Sequence, residues 1–567
     1  MRSARFSTGL AAIAFTFSSS VAALPAPATP DDSAEADLAT AAAHAAAKGD
    51  ALLEALLNEL DRSKAQLKMD QVQAPYYIEY RVSDVDDFNA EAAFGAVEDS
   101  SRSHSRYIRV VVRLGDYQQD SYYGRGLGSA SFLPLDNDPI ALRRQIWLLT
   151  DEAYKGAADA YAEKLSALKQ FSADPNPVDD FARAPVVSAV GETVKLKVDQ
   201  EGWNKTLEEV TNLYRQYPEI QSVTAQARLR AVNEYFVNSE GTIVRQGRTT
   251  ASVVLAGSAQ APDGMRLVRN PLWTEERAED LPTREVLVQE SRKMLETLKA
   301  LQQAPIVEES YRGPVLFAPD AASDVMAGLI GTNVLGRKPQ LGRPNRTTGS
   351  FATSYKTRVL PKFVTVVDDP TMHTFEGKKL LGSYAVDSEG VKAQTVTVVG
   401  DGMLENYLVG RQPLRDFPNS NGHGRATPGG SPTPTVGVLL VKSSEAEPSK
   451  ALNEKLKGMA GEQQKTYGYR VDTLGPGNSP RLLYRVYVKD GREELVRGAV
   501  FNELDVRALR NDLSAVGDDP LVTNRALAGT PPQTTICPSL LFDELEVKRA
   551  DMTKEKLPEY PAPELKK

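Results

Sequence analysis

At 567 residues the chain is too long for one hydrophobic core, since single cores stop growing near about 250–300 residues, and two domains are expected. Hydrophobic residues make up 41% and charged residues 25%, the balance of an ordinary globular protein. A formal net charge of -8, with no basic patch interleaved with aromatics, excludes a general phosphate-binding surface and argues against a nucleic-acid partner.

The N-terminus reads as a signal peptide over residues 1–23. Arg2 and Arg5 precede an apolar stretch from Gly9 to Phe17, then small residues, with cleavage after Ala23 or, alternatively, Ala28. The apolar run is short for a bilayer core of about 30 Å, and Pro25 and Pro27 follow it. The expectation is an exported protein, periplasmic or secreted, with no membrane span in the mature chain. The lone Cys537 allows no intramolecular disulfide, so core burial must carry stability.

Residues 24–49 read as a flexible tether. From Asp50, Leu52, Leu53, Leu56, Leu57 and Leu60 recur at helical spacing. Strands are predicted at Tyr76 to Val82, Ala92 to Val97 and Tyr107 to Leu114. Asp138-Pro139 starts a long helix to about Phe171, and a loop follows to Pro185. A helix from Gly202 to Tyr214 precedes strands at Ser222 to Val232, Asn233 to Asn238 and Ile243 to Ala256, with a turn at Ser239-Glu240-Gly241. A helix from Thr283 to Leu301 turns Leu287, Met294, Leu298 and Leu301 inward. Together these outline an N-terminal α/β domain over 50–305.

Residues 306–567 have another texture, with short strands near Val315, Phe363, Gln394, Gly437 and Leu482 among dense Gly and Pro. An all-β barrel or sandwich-like domain is expected there. The fold class is α+β.

Chemistry is sparse. The four histidines, His44, His104, His373 and His423, form no H-E-x-x-H or H-E-x-x-x-H pair. His44 lies in an alanine-rich stretch and His104 in a polar turn, both read as surface residues. His373 follows Asp368 and Asp369, a set that either binds metal weakly or forms an Asp-Pro turn. His423 sits in Asn421-Gly422-His423-Gly424-Arg425, where the glycines suggest backbone close to a peptide or the neighbouring domain, or a mobile loop. Gly331 to Lys338 imitates a P-loop, but its lysine is one place late and Pro339 follows. Gly124 to Gly128 is a Gly-rich turn. Cys537 has no His partner in sequence and reads as a small buried residue.

Several segments of the C-terminal half resemble motifs of the TldD/PmbA metallopeptidase family, over roughly Gly313 to Val547. Val366 to Met372 is similar to the family's VVDDGTM, and Val386 to Val391 to its DDEG turn. Asp401 to Leu408 resembles NGvLkgYl, Asn421 to Arg425 resembles GNGRR, and Ile536 to Val547 resembles the closing strand. All five stand in the family's order. The resemblance implies an α/β N-terminal domain followed by an antiparallel β-barrel-like domain. It also implies dimers, including heterodimers of an active and an inactive chain, and peptides or small unfolded proteins as substrates, held as an added strand. Active members carry H-E-x-x-x-H on a helix early in the C-terminal domain, completed by a cysteine. Here the matching helix reads Asp324 to Thr332, with Ala327, Gly328 and Thr332 where the two histidines and the glutamate belong. None of these ligates zinc or serves as a general base. Cys537 does not match the family's cysteine ligand either. The chain is therefore most similar to the metal-free PmbA (TldE) branch.

No catalytic residue, metal or cofactor is expected in this chain, with zinc only in an active partner. Asn421, Gly422, His423 and Arg425 are the candidate peptide-binding or loop residues, and Asp368, Asp369 and His373 the weak metal candidates. Three readings stay open. One is a non-catalytic subunit that pairs with a TldD-like peptidase. Another is a stand-alone peptide-binding or scaffold homodimer. The last is a metallopeptidase with a non-standard site built from His373, Asp368, Asp369 or His423.

Overall fold

The computed structural model describes residues 40–122, 128–170, 177–339, 341, 346–526, 529–551, 555–558, 560 and 563. The signal peptide, residues 24–39 of the tether, residues 124–127 of the Gly-rich turn and residues 171–176 of the loop lie outside the described residues. The tether is shorter than expected, because residues 40–47 form a helix, α1, whose Ala43 and Ala47 are buried. His44, expected in a mobile stretch, lies 2.6 Å from the Asp61 carboxylate across to the next helix.

The N-terminal domain is organised by two very long hairpins. β1 (Tyr77–Ala93) pairs with β2 (Ala96–Arg113), and β5 (Ile220–Asn238) with β6 (Ile243–Gln260), while β1 and β5 join them antiparallel. Phe94 and Gly95 make the first turn, both with positive φ (50° and 76°), as a tight primed hairpin turn demands. The shorter β3 (Ser129–Phe132) extends the sheet beside β2, and β4 (Ser188–Val190), β7 (Arg266–Arg269) and β8 (Leu272–Glu275) pair with β6. The predicted strands are thus longer than read: the polar run from Ser101 to Ser105 is strand rather than turn, and no break separates Val232 from Asn233. Cross-strand pairing along the whole hairpin satisfies the backbone of segments whose own composition is too polar to announce a strand.

Helices cover one face only. α2 (Ala51–Gln66) and α3 (Pro139–Leu168) pack on one half of the sheet through Leu53, Leu56, Ile146 and Tyr154 against Tyr80, Val82 and Val110. Asp50 and Asp138 cap them, each accepting amide hydrogen bonds of the first turn. α4 (Gln200–Asn212) and α5 (Arg284–Gln303) cover the other half through Leu207, Val210, Leu295 and Leu298. The opposite face, which carries Arg81, Asp87, Arg228, Arg230 and Arg248 by strand alternation, is left to the C-terminal domain and to solvent.

The chain crosses over through residues 304–310. The C-terminal domain departs from the expected antiparallel barrel, since neither of its main sheets closes. The first orders Met403–Leu404, Val396–Gly400, Val364–Asp368, Val438–Ser443, Gln533–Cys537 and Leu521–Arg525. The second runs Ala446–Glu447, Leu513–Gly517, Leu540–Arg549, Tyr311–Phe317, Tyr467–Gly475, Ser479–Tyr487 and Glu493–Val496, with Ala499–Phe501 also on Leu540–Arg549. Both are mixed: Val438–Ser443 lies parallel to Gln533–Cys537, and Tyr311–Phe317 parallel to Tyr467–Gly475. Parallel neighbours need crossover connections. These connections include the short helix α6 (Pro319–Met326), which sinks Ala322, Val325 and Met326 into the main core, and α7 (Ser449–Glu462), whose Leu452 and Leu456 cover the outer face of the second sheet. No helix among the described residues is long and apolar enough to cross a membrane.

The helix-covered half of the N-terminal sheet depends on close packing rather than on polar contacts. Leu298→Ala, at a fully buried position, is expected to cost about 2–5 kcal/mol in urea unfolding followed by circular dichroism. Lys293→Ala, at an exposed position of the same helix, should change stability by less than about 0.5 kcal/mol.

Candidate functional site

The helix matched to the family's zinc site begins with Pro319 in its first turn, where the missing N–H costs nothing, and Asp320 lies favourably at its positive end. Its last turn widens into a π turn over Ala327–Gly331. Of the three key positions, Ala327 is half-buried and Gly328 and Thr332 are exposed. A side chain added at Gly328 would meet open space, and the Thr332 hydroxyl donates to the Gly328 carbonyl at 2.5 Å. The face that would hold a cation therefore offers a methyl group, a hydrogen and a hydroxyl already engaged by its own helix. Asp324, on the preceding turn, is committed to Arg525 at 2.6 Å.

The weak metal candidates do not converge. Asp368 is fully buried at the end of its strand and accepts from the amides of Gly437 at 3.1 Å and Val438 at 3.2 Å. Its side-chain partner is His423, whose Nε2 lies 3.2 Å away, and not His373. His373 is exposed, with Nδ1 3.2 Å from the Ser383 hydroxyl. Asp369 accepts from the Thr371 amide and hydroxyl, as an Asp-Pro turn requires. Among the described residues no three His, Cys, Asp or Glu side chains gather as a metal-ligand group.

The candidate peptide loop, read as backbone close to a peptide or the neighbouring domain or else as a mobile loop, is interior. His423 is 0% exposed and Arg425 5%. Asn421 donates to the Tyr407 carbonyl and accepts from the Val409 amide, both at 2.8 Å. Arg425 donates to the Pro532 carbonyl at 2.6 Å and lies over the Tyr384 ring at 4.6 Å. Gly422, with φ of 75°, brings its backbone against Lys392 where a Cβ would lie 2.3 Å from a carbonyl oxygen. The glycines thus do mark close backbone approach, but to a neighbouring segment of the same domain. Cys537 is also interior, and burial pushes its thiol well above the ordinary range, which leaves it a packing residue rather than a nucleophile.

Sequence reading missed the ionic joint between the domains. Arg411, fully buried, donates from Nη1 and Nη2 to both oxygens of Glu240, each at 2.7 Å, and from Nε to the Ala182 carbonyl at 2.9 Å. Its guanidinium lies 4.0 Å over the Phe181 ring. The Arg411 amide donates to Glu389 at 2.7 Å, and Glu389 belongs to the turn in which Asp387 accepts from the amides of Glu389 and Val391. A second tie joins Lys338 to Asp180 at 2.8 Å, so the lysine of the P-loop-like run serves the domain interface. Burial alone would raise the Asp180 carboxyl, but Lys338 and Lys164 outweigh it and hold it below its ordinary value. Only Glu240 had a local signal, as part of a hairpin turn. Its partner is 171 residues away.

A long twisted sheet with helices on one face, joined by a buried arginine to two open mixed sheets around a short helix, defines the class: a two-domain α+β protein built like the TldD/PmbA metallopeptidases and their relatives. Residues 310–549 match the PmbA/TldA metallopeptidase C-terminal domain, so this part of the chain is a TldD/PmbA-family domain. Three solved structures share the fold. A Thermotoga maritima protein described as a candidate modulator of a DNA gyrase is 16% identical, with a TM-score of 0.57 over 87% of this chain and 99% of that one. TldE from Thermococcus kodakarensis is 15% identical, with a TM-score of 0.56 over 87% and 99%. A second candidate gyrase modulator, from Bacteroides thetaiotaomicron, is 14% identical, with a TM-score of 0.57 over 88% and 98%. No curated protein matches in sequence.

The joint generates two expectations. Arg411→Ala leaves Glu240 without its cationic partner, with only the Tyr117 hydroxyl and Asn238 amide still donating to it, and should cost about 3–5 kcal/mol, seen in urea unfolding as separation of one transition into two. The second concerns pH. Burial, reinforced by Glu389, pushes the Asp387 carboxyl up to about 8, and burial also raises Glu389. A carboxyl raised on folding binds its proton more tightly in the native state, so its contribution is present at low pH and is lost as pH rises. Thermal stability should therefore decline between about pH 4 and pH 8, and Glu389→Gln should flatten that slope. A slope that is unchanged in Glu389→Gln would exclude this pair as its source.

Proposed function

We propose that this chain is an exported, non-catalytic member of the TldD/PmbA family that binds peptides and pairs with a zinc-bearing peptidase subunit. One observation carries the reading: the helix matched to the family's zinc site presents Ala327, Gly328 and Thr332, and none of these can bind zinc as imidazole does or act as a carboxylate base. The surrounding structure offers no substitute on that face among the described residues, because Asp324 is held by Arg525 and the histidines lie elsewhere. The structural likeness to TldE supports placing the chain on the metal-free side. The run of Arg2, Arg5 and the apolar segment to Phe17 supports export.

A non-catalytic chain still has a role in a dimer of unlike subunits. In this reading it helps enclose the peptide substrate, and its affinity for peptide adds to that of the active chain. The two halves of the proposal, no metal and a partner, are tested separately. Protein purified from its native host without chelator should contain far less than one zinc per chain by elemental analysis. Tagged protein recovered from the cell envelope should carry along a relative that retains H-E-x-x-x-H. One zinc per chain, lost on His373→Ala or His423→Ala, would overturn the non-catalytic assignment. Recovery as a homodimer alone would replace the subunit with a stand-alone binding protein.

A further inference from the structure

The helix-free face of the N-terminal sheet forms the floor of a cleft of about 390 Å³ that the family motifs do not touch. Its rows are set by strand register. One runs Ser103, Asp87, Arg230, Thr250 across β2, β1, β5 and β6, and the next runs Ser105, Val85, Val232, Arg248. Strand alternation aims these side chains to one side. Thr427, Pro428, Pro531 and Pro532 of the C-terminal domain make the wall.

The charges on this floor are arranged in a particular way. Asp87 is held by two guanidiniums at once: Arg228 donates from Nε at 3.3 Å and Nη2 at 3.1 Å, and Arg230 from Nε at 3.0 Å and from Nη2. Burial would raise the Asp87 carboxyl, but these donors outweigh it and keep it ionised. Both arginines bond Asp87 through the Nε–Nη2 edge, so neither spends Nη1 on it. Arg248 engages Glu234 through Nη2 at 3.1 Å. Three guanidiniums face two carboxylates, and the buried Arg425 guanidinium lies near Arg248 and Glu234, so the cleft is net positive in a chain whose net charge is -8. Hydroxyls of Ser103, Ser105, Thr250 and Ser252 line the cleft.

We propose that this cleft binds a carboxylate carried by a peptide, either an acidic side chain or the C-terminal carboxylate. The net positive charge of the cleft suits an anion. A carboxylate places less negative charge next to Asp87 than a dianionic phosphate does. Guanidinium edges and hydroxyl donors fit the two oxygens of a carboxylate, and the volume exceeds that of the carboxylate itself, leaving room for the chain that bears it. The proposal deepens the peptide-binding reading above and does not require a catalytic partner, so a failed pull-down leaves it standing.

The test uses the mature chain alone, with fluorescence anisotropy of an N-terminally labelled Ala-Ala-Glu-Ala-Ala-Glu-Ala peptide at low salt. Four forms are compared: the parent, its C-terminal amide, its Glu→Gln form and the form with both changes. The doubly neutral peptide should bind at least about tenfold more weakly, and whichever single change reproduces that loss identifies the carboxylate. Asp87→Asn removes the resident competitor and should tighten binding of the parent about threefold or more. Arg230→Gln and Arg248→Gln should each weaken it, with circular dichroism confirming that every variant is folded. Equal binding of parent and doubly neutral peptide would overturn the proposal. So would a folded Asp87→Asn variant that does not bind more tightly, or inorganic phosphate that displaces the peptide at concentrations at which acetate does not.

Discussion

Arg411 is the contact on which the two-domain arrangement turns. A guanidinium removed from water must have nearly all of its donors satisfied, and this one is: both Glu240 oxygens, the Ala182 carbonyl and the Phe181 ring enclose it. Those partners all belong to the N-terminal domain and the arginine belongs to the C-terminal one. The same segment places its amide on Glu389, which ties the joint to the turn at Asp387. Directional hydrogen bonds thereby help set the relative placement of the sheets, together with the apolar contact of Val386 with Val187, Phe236 and Val244.

That placement explains why the N-terminal sheet can carry a polar face. Strands of 17 to 19 residues expose many side chains on the side without helices, and an apolar face there would be a liability in a chain without a partner. Arginines and acids occupy it instead, some in the joint and some around the cleft at Asp87. The C-terminal domain does the reverse. It hides polar residues such as Asp368 and His423 at the ends of strands, where their job is to satisfy the amides of Gly437 and Val438 and to pin the loop from Asn421 to Arg425.

The helices were legible because their signals are local. Leucine spacing from Leu52, the Asp138-Pro139 cap and the Thr283 start fall within a turn or two of the observed elements. Strands were shortened in the reading because Ser101 to Ser105 and the segment around Asn233 are polar, and only pairing along a full hairpin makes them strand. The barrel-like expectation failed for a related reason. Whether a sheet closes depends on which edge strands meet, and in both sheets the end strands pair with only one neighbour.

For the site, the identity of Ala327, Gly328 and Thr332 could be read from the chain alone, because a methyl group, a hydrogen and a hydroxyl are not the imidazole, thiolate or carboxylate ligands that protein zinc sites use. The order of the family motifs was likewise a property of the sequence itself. Tertiary structure decided everything that depends on partners distant in sequence: that Asp368 meets His423 and not the nearby His373, that Lys338 serves the domain interface, and that Asp87 is shared by Arg228 and Arg230. The physical reason is range. Propensity, capping and ligand chemistry act within a residue or a turn, whereas burial and ion pairing depend on which strands the completed fold brings side by side.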